Sequence, residues 1–251
     1  MNSTVQQRID EACALWRKAH CVLTVTGAGI SVPSGIPDFR SPGGLWTKFD
    51  PDEVASLTAL KSRPRRVWEF LLEAARVFGR AEPNAAHLAL AELERAGFLA
   101  GVITQNIDGL HQRAGSAHVI EFHGSAAEYH CMRCGRDHPR QAAERLREDE
   151  LPWLCECGGV IRPDIVFFGE MIPPHALSAS RELASQADLC VIVGTSGEVA
   201  PANTLAHAVA ASGGRVVEIN LGATAYGSLA DVRIDARCEE VLPAIRNALV
   251  S

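Results

Sequence analysis

Six short runs of apolar and β-branched residues punctuate the chain, and each stops abruptly at glycine or polar residues. They are Cys21 to Thr26 (CVLTVT), Ala100 to Thr104 (AGVIT), His118 to Phe122 (HVIEF), Val160 to Phe168, Leu189 to Val193 (LCVIV) and Arg215 to Asn220 (RVVEIN). Their apolar residues do not alternate with polar ones, which is the pattern of strands covered on both faces. Stretches with helical spacing lie between them: Asn84 to Ala96, Ala176 to Gln186, Pro201 to Ala211 and Cys238 to Leu249. Strand then helix, repeated, predicts an α/β fold with a parallel sheet between two helical layers.

Two stretches break the alternation. Ser41 to Arg80 is helical and aromatic around Val67 to Phe78, and Ala126 to Gly159 holds four of the eight cysteines. Read as insertions, they form one discontinuous module that leaves a cleft against the larger unit. The expected division is residues 1–40, 81–125 and 160–251 for the large domain. The small domain then has a helical part, 41–80, and a metal-binding part, 126–159.

Cys131-x-x-Cys134 and Cys155-x-Cys157, flanked by Gly135, Gly158 and Gly159, have the spacing of a closed four-thiolate zinc site. Such a site has no open coordination position, so the metal is expected to be structural. The second half is C-x-C where C-x-x-C is commoner, which leaves His130 or His138 as a substitute ligand. A net charge of −6 argues against a surface that neutralises phosphates, so no nucleic-acid partner is expected. With no long apolar run and no basic n-region before an apolar stretch, the expectation is a cytoplasmic protein without a membrane partner.

Polar chemistry collects at strand ends, where open parallel sheets bind ligands. After the first run comes GAGISVPSGIPDFR, in which Gly27 and Gly29 allow close backbone approach to a pyrophosphate. As a dinucleotide fingerprint it is incomplete, because Val32 stands where a third glycine would be. Asp38, Phe39 and Arg40 then offer an acid, an aromatic plate and a cation together. TQNIDGLH places Gln105, Asn106, Ile107 and Asp108 at the second strand end, and His123 closes the third. The ordinary histidine pKa of roughly 6.5 suits a general base. Gly194, Thr195 and Ser196 follow LCVIV, and Asn220 ends RVVEIN.

These motifs, with FHG at Phe122 to Gly124, VFFGE at Val166 to Glu170, GTS and IN, resemble in order the sirtuins, specifically Sir2-like proteins of the bacterial type, across about residues 12 to 249. The resemblance implies a Rossmann-like domain, a small zinc-bearing domain, and NAD and an acyl-lysine protein meeting in the cleft. It implies an NAD-dependent protein lysine deacetylase or deacylase giving nicotinamide, O-acyl-ADP-ribose and free lysine. In that family the residue matching His123 is the general base, and those matching Asn106 and Asp108 hold the nicotinamide end. Ala28, Asp38, Phe39 and Arg40 match a mobile cofactor loop. Gln105, Ser196 and Asn220 match ribose and phosphate contacts, and the backbone around Cys238 matches a position near adenine. Val166, Phe167, Phe168, Gly169 and Glu170 match the strand that pairs with the substrate peptide. Desuccinylating members carry a Tyr and an Arg where this chain has Leu71 and Ala74, so apolar acyl groups are expected. The alternative reading is protein ADP-ribosylation from the same NAD site. A hydride-transferring dehydrogenase and a zinc-ribbon interaction module fit the motifs less well. A monomer is expected.

Overall fold

A computed structural model describes residues 3–38 and 49–250. Six parallel strands form the main sheet, in the spatial order β3-β2-β1-β7-β8-β9. They are β1 (Val22–Thr26), β2 (Gly101–Thr104), β3 (Val119–Glu121), β7 (Leu189–Val193), β8 (Arg215–Asn220) and β9 (Val232–Asp235). A second, antiparallel sheet has the order β5-β4-β6, with β4 (Gly124–Cys131), β5 (Asp137–His138) and β6 (Ile161–Ile165).

The doubly apolar strands are buried on both faces, as their composition requires. Leu189, Val191 and Val193 of β7 enter one core with the helices Ser3–Lys18, Ala85–Arg95 and Cys238–Val250. Cys190 and Ile192, pointing the other way, enter a second core with Pro174–Gln186 and Thr204–Ala211. The chain fills the sheet outward from β1 to β3 on one side, then returns to β7 and builds to β9 on the other. The order therefore reverses between β1 and β7, the place where open α/β sheets leave a crevice at their carboxyl ends.

The strand expected at Val160 to Phe168 corrects the reading of the main sheet. Ile161–Ile165 pairs antiparallel with β4, Cys131 opposite Ile161 and Gly124 opposite Ile165, and so belongs with the cysteine-bearing sheet. Ile161–Ile165 reads IRPDI, with Arg162, Pro163 and Asp164 between its two isoleucines, a sequence that suits a strand of the small sheet better than the centre of a doubly covered one. The strand Val232–Asp235 and the helix Ser3–Lys18 add to the expected elements.

The helices Pro51–Val54, Leu57–Ser62 and Pro64–Arg80 pack beside the small sheet. Trp68 is the joint. It is buried, its indole donates to the Ile161 carbonyl at 2.9 Å, and its ring meets Tyr129 and Trp153 at 6.3 and 5.9 Å. Among the described residues no helix is long and apolar enough to cross a membrane.

Candidate active site and metal centre

At the crevice, three glycines let two loops touch. Gly27 N donates to the Val193 carbonyl at 3.1 Å and Gly29 N to the Gly194 carbonyl at 2.8 Å. A Cβ on Gly27 would stand 2.6 Å from Thr195 Cβ, and one on Gly29 would stand 2.7 Å from Gly194 Cα. Gly194 itself has φ of +62°, where side chains are strained. A 3₁₀ helix, Ala28–Ser34, follows β1 directly. Asn84 holds it down: its amide donates to Ile30 O at 2.8 Å and to Ser34 Oγ at 2.9 Å, while its carbonyl caps the next helix through Ala86 N.

The cavity above these loops measures about 1820 Å³. Every expected ligand-site residue that the structure describes lines it: Gly27, Ala28, Gly29 and Asp38, Gln105 to Asp108, His123, Gly194 to Ser196, Asn220, Cys238, and Val166 to Glu170. Leu71 and Ala74 line it as well. Phe39 and Arg40 lie outside the described residues.

Polar side chains at the β2 end are cross-linked. Asn106 Nδ2 donates to Gly27 O at 3.0 Å and to Ser31 Oγ at 3.1 Å. Ser31, fully buried, donates in turn to Asp108 Oδ2 at 2.7 Å, and Leu110 N donates to Asp108 Oδ1 at 3.0 Å. Burial pushes the Asp108 carboxyl above the usual carboxylate range, opposed by those two hydrogen bonds. Sequence reasoning missed Ser31. Its only signal is a hydroxyl in the second turn of a glycine loop, which any solvent-facing turn also carries. Glu121, Ser125 and Gln112 also line the cavity unforeseen, with the Glu121 carboxyl hydrogen-bonded by Gln112 and Ser125.

His123 follows β3, where its Nδ1 lies 3.0 Å from the Gln105 carbonyl. A carbonyl only accepts, so Nδ1 carries the proton and Nε2 keeps its lone pair. Burial lowers the His123 pKa below 6.5, partly offset by the Gln105 bond, which leaves a neutral imidazole at pH 7. Val166 N donates to the His123 carbonyl at 2.8 Å, tying His123 to the VFFGE segment. Phe168 exchanges backbone bonds with Ala55 and Leu57, at 2.8 and 3.0 Å. Its main chain is therefore already engaged with the small module. Cys238 opens the last helix, and burial pushes its thiol up to about 12, so it presents a neutral wall.

The four clustered cysteines meet away from this cavity. Their sulfurs all lie within 4.8 Å of one another, with Cys131 to Cys157 at 3.5 Å and Cys134 to Cys155 at 3.8 Å. Four thiolates bound at ~2.3 Å around a tetrahedral Zn²⁺ stand ~3.8 Å apart. Arg133 N and Gly159 N each donate to a sulfur at 3.4 Å, stabilising thiolate charge. A Cβ on Gly159 would stand 2.7 Å from Cys131 Sγ, so only glycine leaves that sulfur its space. His130 Nδ1 instead bonds Asp164, and His138 packs on Trp153, so neither belongs to this ligand group.

A doubly wound sheet with a glycine-bridged crevice, a neutral histidine at its edge and a separate four-thiolate centre defines a nucleotide-binding protein with a structural-metal module. Residues 27–201 match the model of the Sir2 family. The NAD-dependent protein deacylase 2 of Pyrobaculum aerophilum is 47% identical over 231 residues, 90% of this chain and 89% of its own. A solved structure described under the mechanism and regulation of Sir2 enzymes superposes with a TM-score of 0.92 at 40% identity, covering 98% of each chain. Another, a Sir2 histidine-to-alanine variant with a deacetylated peptide and 3′-O-acetyl-ADP-ribose, reaches 0.89 at 39% identity, covering 96% of this chain and 98% of its own. The chain belongs to the Sir2 family.

Proposed function

We infer that this chain acts on acyl-lysine as an NAD-dependent protein deacylase, the latter being the activity its relatives are named for. The single observation that carries the reading is a neutral, tautomer-fixed His123 in the same cavity as the glycine cradle and the Asn106–Ser31–Asp108 chain.

The residues present fit NAD. Glycines without room for a Cβ leave backbone amides close to a pyrophosphate, and the neutral amides and hydroxyls of Gln105, Ser196 and Asn220 suit ribose hydroxyls. NAD supplies an electrophilic ribose carbon whose nicotinamide can leave and to which the acyl oxygen can be transferred. Asn106 and Asp108, fixed through Ser31, orient the nicotinamide end. His123 Nε2 takes a proton from a ribose hydroxyl, a task worth roughly 10²–10⁴-fold in rate. Val166 to Glu170 lies against the peptide, with Leu71 and Ala74 presenting apolar side chains to the acyl chain. Cys131, Cys134, Cys155 and Cys157 hold one Zn²⁺ that organises the small sheet. In this division the small domain is residues 41–80 and 126–159, with β6 added from the strand pairing.

A panel of acyl-lysine peptides incubated with NAD, read by mass spectrometry, tests this. Equimolar nicotinamide, O-acyl-ADP-ribose and deacylated peptide are expected. Label transferred from NAD to protein with no deacylated peptide would favour ADP-ribosylation instead, and the absence of nicotinamide release would sink both.

A further inference from the structure

Glu218 sits inside β8 with none of its surface exposed, a place where a carboxylate is tolerated only when it is paired. Its Oε1 accepts from the Asn220 amide nitrogen at 3.3 Å and, in a shorter contact, from the Thr224 hydroxyl. Its Oε2 faces Arg233 Nε at 3.6 Å. The same Asn220 nitrogen donates to the Thr195 carbonyl at 3.1 Å. An amide nitrogen has two hydrogens, and here both go to acceptors of the protein. That count fixes the amide: Oδ1 is the atom of Asn220 left for a ligand, and it can only accept.

We propose that Glu218 is a specificity-determining residue acting through Asn220. It makes this wall of the cavity an acceptor with a carboxylate behind it, so that a free ribose hydroxyl is taken and a phosphorylated ribose is refused. The proposal rests on the NAD reading of the cavity. β8 lies three strands from β2, so Asn220 is at the opposite end of the cleft from the Asn106–Asp108 segment and meets the adenosine half of the dinucleotide. A ribose hydroxyl can donate to Oδ1. A phosphate there offers mainly acceptor oxygens and brings its negative charge toward Oδ1 and the Glu218 carboxylate. In many dinucleotide folds an acidic residue bonds the ribose hydroxyl itself; in this chain the carboxylate lies deeper and works through an amide.

The test is calorimetric binding of NAD, NADP and the 3′-phosphate isomer of NADP to the zinc-loaded protein, in wild type, Glu218→Met and Glu218→Gln. Methionine fills a similar volume without an acceptor and frees one Asn220 N–H for the ligand. Glutamine keeps an acceptor but removes the carboxylate charge. Wild type should prefer NAD over at least one phosphorylated form by about 100-fold or more, as expected for a site built around a substrate hydroxyl. The ratio should narrow about tenfold in Glu218→Met and about threefold in Glu218→Gln, the charged bond being the stronger of the two that hold the amide. A merely structural glutamate would weaken all three nucleotides together. An unchanged ratio in the folded variants overturns the proposal, and where Glu218→Met does not fold, an unchanged ratio in Glu218→Gln alone overturns it. Wild type binding all three alike overturns it too. A wild type that binds no NAD overturns the reading of the cavity itself, and this proposal with it.

Discussion

Ser31→Ala is the substitution whose effect can be worked most directly from the structure. The hydroxyl makes two bonds, accepting from Asn106 Nδ2 at 3.1 Å and donating to Asp108 Oδ2 at 2.7 Å, and the residue is fully buried, so bulk water cannot replace it. A neutral bond contributes roughly 0.5–1.5 kcal/mol net and a bond to a charged group roughly 1.5–3, so about 2–4 kcal/mol is lost. Asn106 keeps its bond to Gly27 and Asp108 keeps the one from Leu110, so the cost stays local. For a chain of this size the loss lowers Tm by about 5–15 °C. A second effect is on pH. The Ser31 bond favours ionised Asp108, whose pKa burial already raises, so removing it raises that pKa further. The fraction ionised at a given acidic pH then falls, and the acid limb of nicotinamide release should move to higher pH. Differential scanning calorimetry and a pH profile of nicotinamide release measure both. A variant melting within a degree of wild type, with an unmoved acid limb, would refute the bridge.

His123→Ala should reduce deacylation by about 10²–10⁴-fold while nicotinamide exchange with NAD, which precedes the base's step, is reduced less; equal losses in both reactions would remove the assigned role. Because burial holds the His123 pKa below 6.5, the imidazole is already neutral at pH 7, and wild-type turnover should fall only as pH drops beneath 6.5. Cys134→Ala should release zinc and lower Tm together, since structural zinc contributes roughly 10–16 kcal/mol of apparent binding energy in small modules; metal-free protein with full Tm and activity contradicts the centre. Deacetylation should exceed desuccinylation by about 100-fold or more, because neither Leu71 nor Ala74 offers a succinyl carboxylate a cation or a hydrogen bond. Leu71→Tyr with Ala74→Arg should narrow that gap, and similar rates on the two wild-type substrates would count against the argument.

The parallel strands were legible because burial on both faces leaves a continuous apolar run, and the strand-end residues because sheet topology gathers them at one edge. The cysteine spacing predicted the metal centre, and the structure brings all four sulfurs together without either histidine. The partner of Ile161–Ile165 is set by pairing with a segment about 30 residues earlier, which local sequence does not name, although Arg162, Pro163 and Asp164 inside it already speak against a place in the doubly covered sheet. Ser31 and Glu218 were hidden for opposite reasons. The first looks like an ordinary loop serine. The second sits in RVVEIN as the one charge inside the apolar run, with its partners Thr224 and Arg233 beyond the strand and ordinary in type. Both gain their meaning from contacts between separate segments, which no local pattern records.

The contact between Gly29 and Gly194 also bears on how such a sequence can change over time. A Cβ on Gly29 would stand 2.7 Å from Gly194 Cα, and one on Gly194 would stand 2.7 Å from the Gly29 carbonyl carbon and 2.9 Å from its Cα. In each direction the obstacle is main chain. A large-for-small exchange in a core can be rescued by a small-for-large exchange opposite, but here the residue opposite is already the smallest there is. No paired substitution relieves either position. Descendants of this chain can vary around the two glycines, but to replace one they must first move a whole loop.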